Sequence, residues 1–499
     1  MTEKSCDILV LGGGGSGLVA AARAAELSGG KVIVLEKTAV AGGGMLFAST
    51  MRTFGSRWQA ERNIPDQSDR FLREMMDLTQ WRLDPDLVRN AVLATGAFFD
   101  WYSGLELPEV LAQYEARPYV FDIPVNGQPG PQIDRFHNGS GRFIVKTMLR
   151  RLEELGAEVL LEHRAVDAEV DAGRITAVTA EGPEGPVRIR CRVCVLATGS
   201  WICNREVVDR VCPAFNEAEV LPSAHQNPAY TGDGLPLAEK AGALVDWDSF
   251  CLRLMGPICA MGDRSKLDAL THAREAIMVD LNARRFVAEP MAPRMDPFDT
   301  GLVLLRHPKG KVYYLYSANT LRRIIAAAAR DEKQGDFDPF AMPALPELEV
   351  LDGWFREAME AHPGEAGRGE TLRELAKQIG LDGDALEATV AEYNAGCAAG
   401  RDMAFFKEAD ALEPLAEGPF YAFAGKLATD GAFGGVRVDA AMQACGAGGG
   451  KVEGLFVTGD FASGRHVVLG GAKKQVLNDM SWALASGFIA GESAARALG

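Results

Sequence analysis

Near the start of the chain, apolar positions come in short unbroken runs rather than in alternation. The run Ile-Leu-Val-Leu at 8–11 lies between Asp7 and a cluster of glycines, the pattern of a parallel strand buried on both faces. Leu18-Val-Ala-Ala-Ala-Arg-Ala-Ala-Glu-Leu27 follows with high helix propensity, and Lys31-Val-Ile-Val-Leu-Glu36 reads as a second strand. Strand, glycine turn, helix and strand within roughly 30 residues make a βαβ unit. A second α/β stretch runs from Phe143 to Gly199, with a helix to Leu155 and strands over 158–161, 175–180 and 191–197. A further strand covers 454–460, and a helix through Gly487 closes the chain. The middle differs: 241–346 is rich in Met, Pro, Arg and Tyr, and 347–400 is helical, as in Thr371-Leu-Arg-Glu-Leu-Ala-Lys377. The simplest assembly is an α/β nucleotide-binding domain built from both chain ends with a cap inserted between, an arrangement in which ligand sites favour the domain boundary.

Composition narrows the classes. A chain of 499 residues exceeds one ordinary core, and 47% apolar with 24% charged residues excludes disorder and coiled coil. A net charge of −16 disfavours nucleic acid and anionic membrane surfaces as partners, since both require a basic face. No run approaches the ~18 apolar residues of a membrane span. The opening Met1-Thr-Glu-Lys-Ser-Cys-Asp enters a strand without a leader pattern, which predicts a cytoplasmic protein. Nine cysteines, an odd number, fit reduced thiols. Cys191 and Cys194 form a lone C-x-x-C on an alternating strand pattern, read as buried thiols, with a redox or metal pair as the alternative. No metal site is expected. The 55 glycines must serve particular backbone positions.

Gly12-x-Gly14-x-x-Gly17, enclosing Gly15 and Ser16, has its strand before and helix after. Gly12 permits the tight turn, Gly14 lets backbone approach a pyrophosphate, and Gly17 lets helix and strand pack closely. The phosphates would sit on free amides at the helix N-terminus. Glu36, 19 residues beyond Gly17, can accept a ribose hydroxyl. FAD and NAD share this fingerprint.

Further motifs distinguish them. Glu36-Lys37 is followed by Gly42-Gly43-Gly44 and Ala48-Ser49, then by Gly139-Ser-Gly-Arg-Phe143, Ala197-Thr198-Gly199 with Asn204-Arg-Glu206, and Thr231-Gly-Asp233-Gly234. Arg284-Arg-Phe-Val-Ala-Glu289, the helical 371–394, Gly418-Pro-Phe-Tyr421 and Gly454-Leu-Phe-Val-Thr-Gly-Asp460 complete the order. In this order the chain resembles, over nearly its whole length, the flavoproteins of the fumarate reductase, succinate dehydrogenase and 3-ketosteroid Δ1-dehydrogenase group. The resemblance implies a Rossmann-like FAD-binding domain built from both chain ends, with an inserted α+β capping domain and a helical segment. Its divisions fall at 1–240, 241–346 and 347–499. It implies that FAD is held by the glycine loop, by Glu36, Lys37 and the 42–49 segment, by Val166, and by Ala197, Thr198, Gly199, Asp233, Asp460 and Leu469. Some members bind FAD through a histidine near 45–56; this chain has no His between Met1 and Ser56, so non-covalent FAD is implied. Heme and covalent-FMN motifs are also missing, so an external electron donor or acceptor is implied.

Reduction of an activated C=C bond needs hydride from flavin N5, a proton donor and cations that polarise the activating group. In fumarate-reducing relatives an arginine just after the segment similar to Arg284–Glu289 delivers the proton; here Arg294 stands one residue further along, as proton donor, substrate clamp or plain salt-bridge arginine. Where dicarboxylate-binding relatives have a histidine two residues before a Gly-Gly pair, this chain has Gly431-Ala-Phe-Gly434-Gly435. Their H-G-A-N-R-L-G-G-N is replaced by Arg465-His466-Val-Val-Leu469-Gly-Gly-Ala-Lys473-Lys474, which lacks the carboxylate-holding arginine. The dicarboxylate site is dismantled in sequence. Arg465 and His466 are the catalytic candidates beside Arg294, and Lys473 and Lys474 are either site cations or a solvated helix start. Tyr119, Tyr313, Tyr314 and Tyr316 are possible donors of the ketosteroid type, although Tyr313-Tyr-Leu-Tyr316 also reads as an ordinary strand. His225 reads as structural or as a flavin-side hydrogen bonder. Three functions follow: FAD-dependent reduction of an enoate or enone other than fumarate, desaturation of a ketone next to its carbonyl, or a non-catalytic electron relay.

Overall fold

The structure, a computed structural model, describes residues 1–48, 51–106, 118–119, 133–134, 140–221, 227–262, 265–291, 297–331, 345–469 and 472–499. At 118–119, 133–134, 140, 297–299, 330–331, 430, 469 and 472–475 it describes the backbone alone. The chain forms two compact units: residues 1–211, 224–252 and 431–499, and residues 212–223 with 253–430. The helical stretch from 347 falls in the second unit.

The first unit is built on a six-stranded sheet in the order Gln443–Cys445, Lys451–Val457, Val193–Leu196, Ile8–Leu11, Val32–Leu35, Glu158–Leu160. All neighbours are parallel except the first pair. Ile8 stands opposite both Val32 and Val193. Every residue of Ile8–Leu11, Val32–Leu35 and Val193–Leu196 is buried, which is why these strands appear in sequence as unbroken apolar runs. Cys194 belongs to this core, and contact with Cys191 together with burial pushes its thiol well above the ordinary range.

Two helices pack on this sheet's glycine loop. Gly15–Ser28 is almost wholly buried along its first three turns, and full burial of Leu18 and Val19 stabilises it by about 1.5–3 kcal/mol each. The C-terminal helix Asp479–Arg496 crosses it at Gly487 and Gly491. One turn apart and on one face, these lack the side-chain carbon that would run into Ser16 O and Ala20 O.

The strands Arg164–Asp171 and Gly185–Arg190 escape the sequence pattern. With Arg174–Gly182 and Thr2–Ser5 they form a separate four-stranded sheet. Arg164–Asp171 exposes most of its residues and carries charge on its open face, where Glu169 accepts two hydrogen bonds from Arg188, both at 2.6 Å. Its apolar signal is therefore weak.

The second unit's sheet takes residues 253–259, 420–430, Lys311–Ser317 and Ile277–Asp280 in that order, with Ala366–Gly369 paired to the 420–430 strand. The helices Leu372–Ile379 and Gly383–Ala398 lay Leu375, Ile379, Leu386 and Val390 against Ile277, Val279, Tyr313 and Leu315. Thr371 and Glu374 form a reciprocal capping box at the start of the first of these helices.

Candidate functional site

The glycine loop follows directly from its strand. Gly12 N donates to Leu35 O at 2.8 Å, and its φ of +115° is one that a residue with a side chain rarely adopts. Gly17 sits at the helix–strand contact, where a side-chain carbon would overlap Gly12 O. Around Gly14, by contrast, no atom of the described residues beyond its own chain neighbours lies within 4 Å of where a Cβ would be. Gly14 precedes the helix Gly15–Ser28, whose first turn carries no acidic residue, so the seat at the helix N-terminus is open and electropositive. Gly15 abuts Met45 and Ser16 abuts Gly459.

Glu36 ends the second strand, buried at 8% exposure. Its Oε2 accepts Gly13 N at 2.9 Å, and its Oε1 accepts Thr38 N and Thr38 Oγ1, both at 2.8 Å. Gly42 N donates to Gly13 O at 2.8 Å, which fastens the turn Gly43–Phe47 beside the loop. Within that segment Gly44 faces the Tyr230 hydroxyl, and Ala48 O accepts Gly141 N at 3.1 Å. Burial, with Asp460 and Glu36 nearby, raises the Tyr230 phenol to about 12. Ser49 lies outside the described residues.

Lys37 points to Thr231 Oγ1 and Asp233 Oδ2, each at 2.9 Å. Arg164 reaches both Asp233 oxygens at 3.1 Å. Burial works to raise the Asp233 carboxyl, but the hydrogen bonds from Arg164, Lys37 and Thr231 outweigh it and hold the group below its ordinary value. Sequence reasoning missed Arg164, which has no local motif. Val166, two residues on, is 38% exposed on the outer sheet.

Ala197 N donates to Leu11 O at 2.8 Å, and Gly199 has a φ of +70°. Between them the buried Thr198 Oγ1 has no hydrogen-bond partner among the described residues. An open phosphate seat, a carboxylate at the end of the second strand and an orphaned hydroxyl beside the loop fit a dinucleotide.

The candidate catalytic residues are differently placed. Arg465 is 1% exposed, with Nη2 3.0 Å from Asp460 Oδ1 and Nη1 2.9 Å from Asp479 Oδ1 in an ion-pair contact. Its guanidinium lies 4.6 Å from the centre of the Phe433 ring. Phe433 in turn fills the space beside Gly431, whose φ is +139°. His466 Nε2 is 2.7 Å from Ser249 O. A carbonyl only accepts, so Nε2 carries the proton and Nδ1 is the acceptor in the neutral ring. Leu469 pairs with Ala472, and Lys473 and Lys474 stand opposite Val468 and Val467 in an antiparallel pair. These lysines therefore begin no helix; the helix starts at Asp479. Asp479, Trp482 and Phe433 were not singled out in the sequence, since their contact with Arg465 is tertiary.

In the second unit, Arg285 and Glu289 form a buried pair at 3.1 and 2.7 Å, with Asp402 2.9 Å from Arg285. Met278 N donates to Glu289 at 2.9 Å, so the segment is pinned up to Pro290. Arg294 and His225 lie outside the described residues. The three strand tyrosines are spoken for: Tyr313 donates to Gly364 O at 2.6 Å, Tyr314 to Pro257 O at 3.2 Å and Tyr316 to Leu270 O at 2.9 Å. Burial pushes all three phenols up.

The loop and its partners suit a dinucleotide of the flavoprotein type. The sequence profile of the FAD binding domain family matches residues 7–472, and the chain belongs to that family. It is an FAD-dependent oxidoreductase. A probable fumarate reductase of Shewanella frigidimarina (strain NCIMB 400) is 24% identical over 480 residues, covering 94% of this chain and 71% of that protein. An NADH:acrylate oxidoreductase of Vibrio harveyi is 28% identical over 384 residues, covering 75% of this chain and 34% of that protein, so the match spans about a third of the longer chain. The fold is similar to that of a flavocytochrome c3 fumarate reductase solved in its open conformation, at a TM-score of 0.70 and 21% identity, covering 99% of this chain and 79% of that one. Among the described residues, no helix is long and apolar enough to cross a membrane.

Proposed function

We propose that this protein reduces an activated carbon–carbon double bond in an enoate or enone that carries one carboxylate or ketone rather than two carboxylates. The observation that carries the reading is the commitment of Tyr313, Tyr314 and Tyr316. Each spends its only O–H on a backbone carbonyl of the second unit, and each is raised further from ionisation by burial. None of these three is poised to polarise a ketone or remove its α-proton, which weighs against desaturation.

The substrate class is narrowed by Arg465. A guanidinium already bound to two carboxylates is a poor clamp for a third. At Gly431, a histidine of the dicarboxylate-binding kind would meet both a φ of +139° and the Phe433 ring. The Vibrio harveyi relative is named for acrylate, a monocarboxylate.

FAD, when bound, supplies the hydride. The chain's own residues do the rest: the loop at 12–17 and Glu36 hold the dinucleotide, and Arg294 delivers the proton or holds the activating group. Arginine releases a proton only where a dry, positive setting lowers its affinity for it. Neutral His466 has already given its one N–H to Ser249, so a donor role for it would need the imidazolium. FAD is held without a covalent bond, consistent with the absence of His before Ser56. The electron donor is a separate reduced species.

The test is a panel of compounds offered anaerobically to photoreduced enzyme. Reoxidation by acrylates, cinnamates or enones supports the reductase. Reduction of oxidised enzyme by a saturated ketone would replace it with the desaturase, and no response to any compound would leave the electron relay. Full turnover in both Arg294→Lys and Arg294→Ala would remove Arg294 from the mechanism.

A further inference from the structure

We propose that Arg465 is a positioning residue for the flavin half of the bound cofactor, acting through Asp460 and Asp479 rather than on substrate. Asp460 follows Gly459, and Gly459 is clamped from three sides. Its N donates to Ser486 Oγ at 3.1 Å, its O accepts Trp482 Nε1 at 2.8 Å, and its missing side chain is required by Ser16 of the phosphate loop. Asp460 follows the strand Lys451–Val457, which stands in the sheet on the opposite side of Ile8–Leu11 from Val32–Leu35 and Glu36, so it lies away from the adenosine end, close enough to Tyr230 to add to burial in raising its phenol.

Asp479 opens the C-terminal helix, just after the cap Asn478, whose side chain accepts Ser481 N at 3.3 Å. Arg465 is the cation joining these two carboxylates, at 3.0 and 2.9 Å. Its own backbone O accepts Val476 N at 3.0 Å, so the arginine is fastened at both ends. Phe433 covers the guanidinium at 4.6 Å, and Trp482 lies 6.0 Å away. A fully buried guanidinium requires paired anions, and a planar fork can hold two carboxylates at once where an ammonium holds one point. The carboxylate at the flavin end of the cradle is therefore fixed in place by the helix that packs on the phosphate loop. The adenosine end relies on other residues: Gly12, Gly14, Gly17 and Glu36.

FAD and ADP separate the two halves. Dissociation of FAD from the holoenzyme is read from recovered flavin fluorescence on dilution, and ADP affinity from its competition with FAD. In Arg465→Met the FAD dissociation constant is expected to rise at least tenfold while that for ADP stays within twofold. Arg465→Lys keeps a cation but loses the fork, and is expected to weaken FAD at least threefold with ADP again unchanged. FAD binding within twofold of wild type in Arg465→Met would overturn the proposal. So would equal weakening of FAD and ADP, which marks a general packing role. Should Arg465→Met fail to fold, the lysine variant decides: unchanged FAD affinity there means that bridging two carboxylates is not required. None of these readouts involves substrate, so failure here is distinct from failure of the proposed reduction.

Discussion

Three glycines of one loop should respond to the same substitution in opposite ways. At Gly17 an added Cβ would lie 2.0 Å from Gly12 O, and at Gly12 it would lie 2.1 Å from Ala197 O. Real Cβ atoms essentially never come within 3.0 Å of another heavy atom, so each alanine forces about 1 Å of movement between backbone segments of a packed core. Overpacking of that kind costs about 1–3 kcal/mol. Gly12 adds the strain of a φ of +115°, about 1–3 kcal/mol more. Gly14 differs on both counts: its φ of −72° and ψ of 174° suit any residue, and its Cβ would meet no atom of the described residues beyond its chain neighbours. Apo Gly14→Ala should match or slightly exceed wild type in stability, by up to about 1 kcal/mol through the unfolded state, yet bind FAD at least tenfold more weakly because the methyl group occupies the phosphate seat. Urea unfolding of apo-protein followed by circular dichroism gives the stabilities, and quenching of FAD fluorescence gives the affinities. Wild-type FAD affinity in Gly14→Ala would refute the placement of the phosphates, and wild-type stability in Gly17→Ala would refute the close packing.

Asp233→Asn should lose about 1–2 kcal/mol at pH 7, measured by urea midpoint. Because the Asp233 carboxyl is held below its ordinary value, its stabilising share is complete above about pH 4 and fades as the pH falls through the lowered value; the deficit of the variant should shrink over the same range. Gly431→His should destabilise the protein by about 1–3 kcal/mol and fail to confer fumarate reduction in a steady-state assay. Tyr316→Phe should leave kcat for C=C reduction within twofold, while a thousandfold loss would restore a tyrosine to the mechanism. Acid precipitation should release the flavin into the supernatant, whereas a yellow pellet would show a covalent bond.

What the sequence revealed and what it hid follow from physics. Strands buried on both faces carry an apolar residue at every position, so Ile8–Leu11 and Val32–Leu35 stand out. Arg164–Asp171 exposes charged residues on one face and leaves little apolar signal. Lys473 and Lys474 read as a helix start because charge is common there, but pairing with Val468 and Val467 makes them strand. The cradle is legible because Gly12, Gly17 and Glu36 act at fixed local spacing. Arg465 is named in the sequence for its charge, but its partner Asp479 is fourteen residues away and its cover, Phe433, thirty-two. Only tertiary structure shows that the charge is already bound.

The most direct measurement is a single-turnover experiment in which photoreduced enzyme is mixed anaerobically with an enoate monocarboxylate or with fumarate, flavin reoxidation is timed and the products are weighed by mass spectrometry. Reoxidation at least a hundredfold faster with the monocarboxylate, with a product two mass units heavier than the enoate, is the expected result. Equal or faster reoxidation by fumarate, or reoxidation without a saturated product, would contradict it.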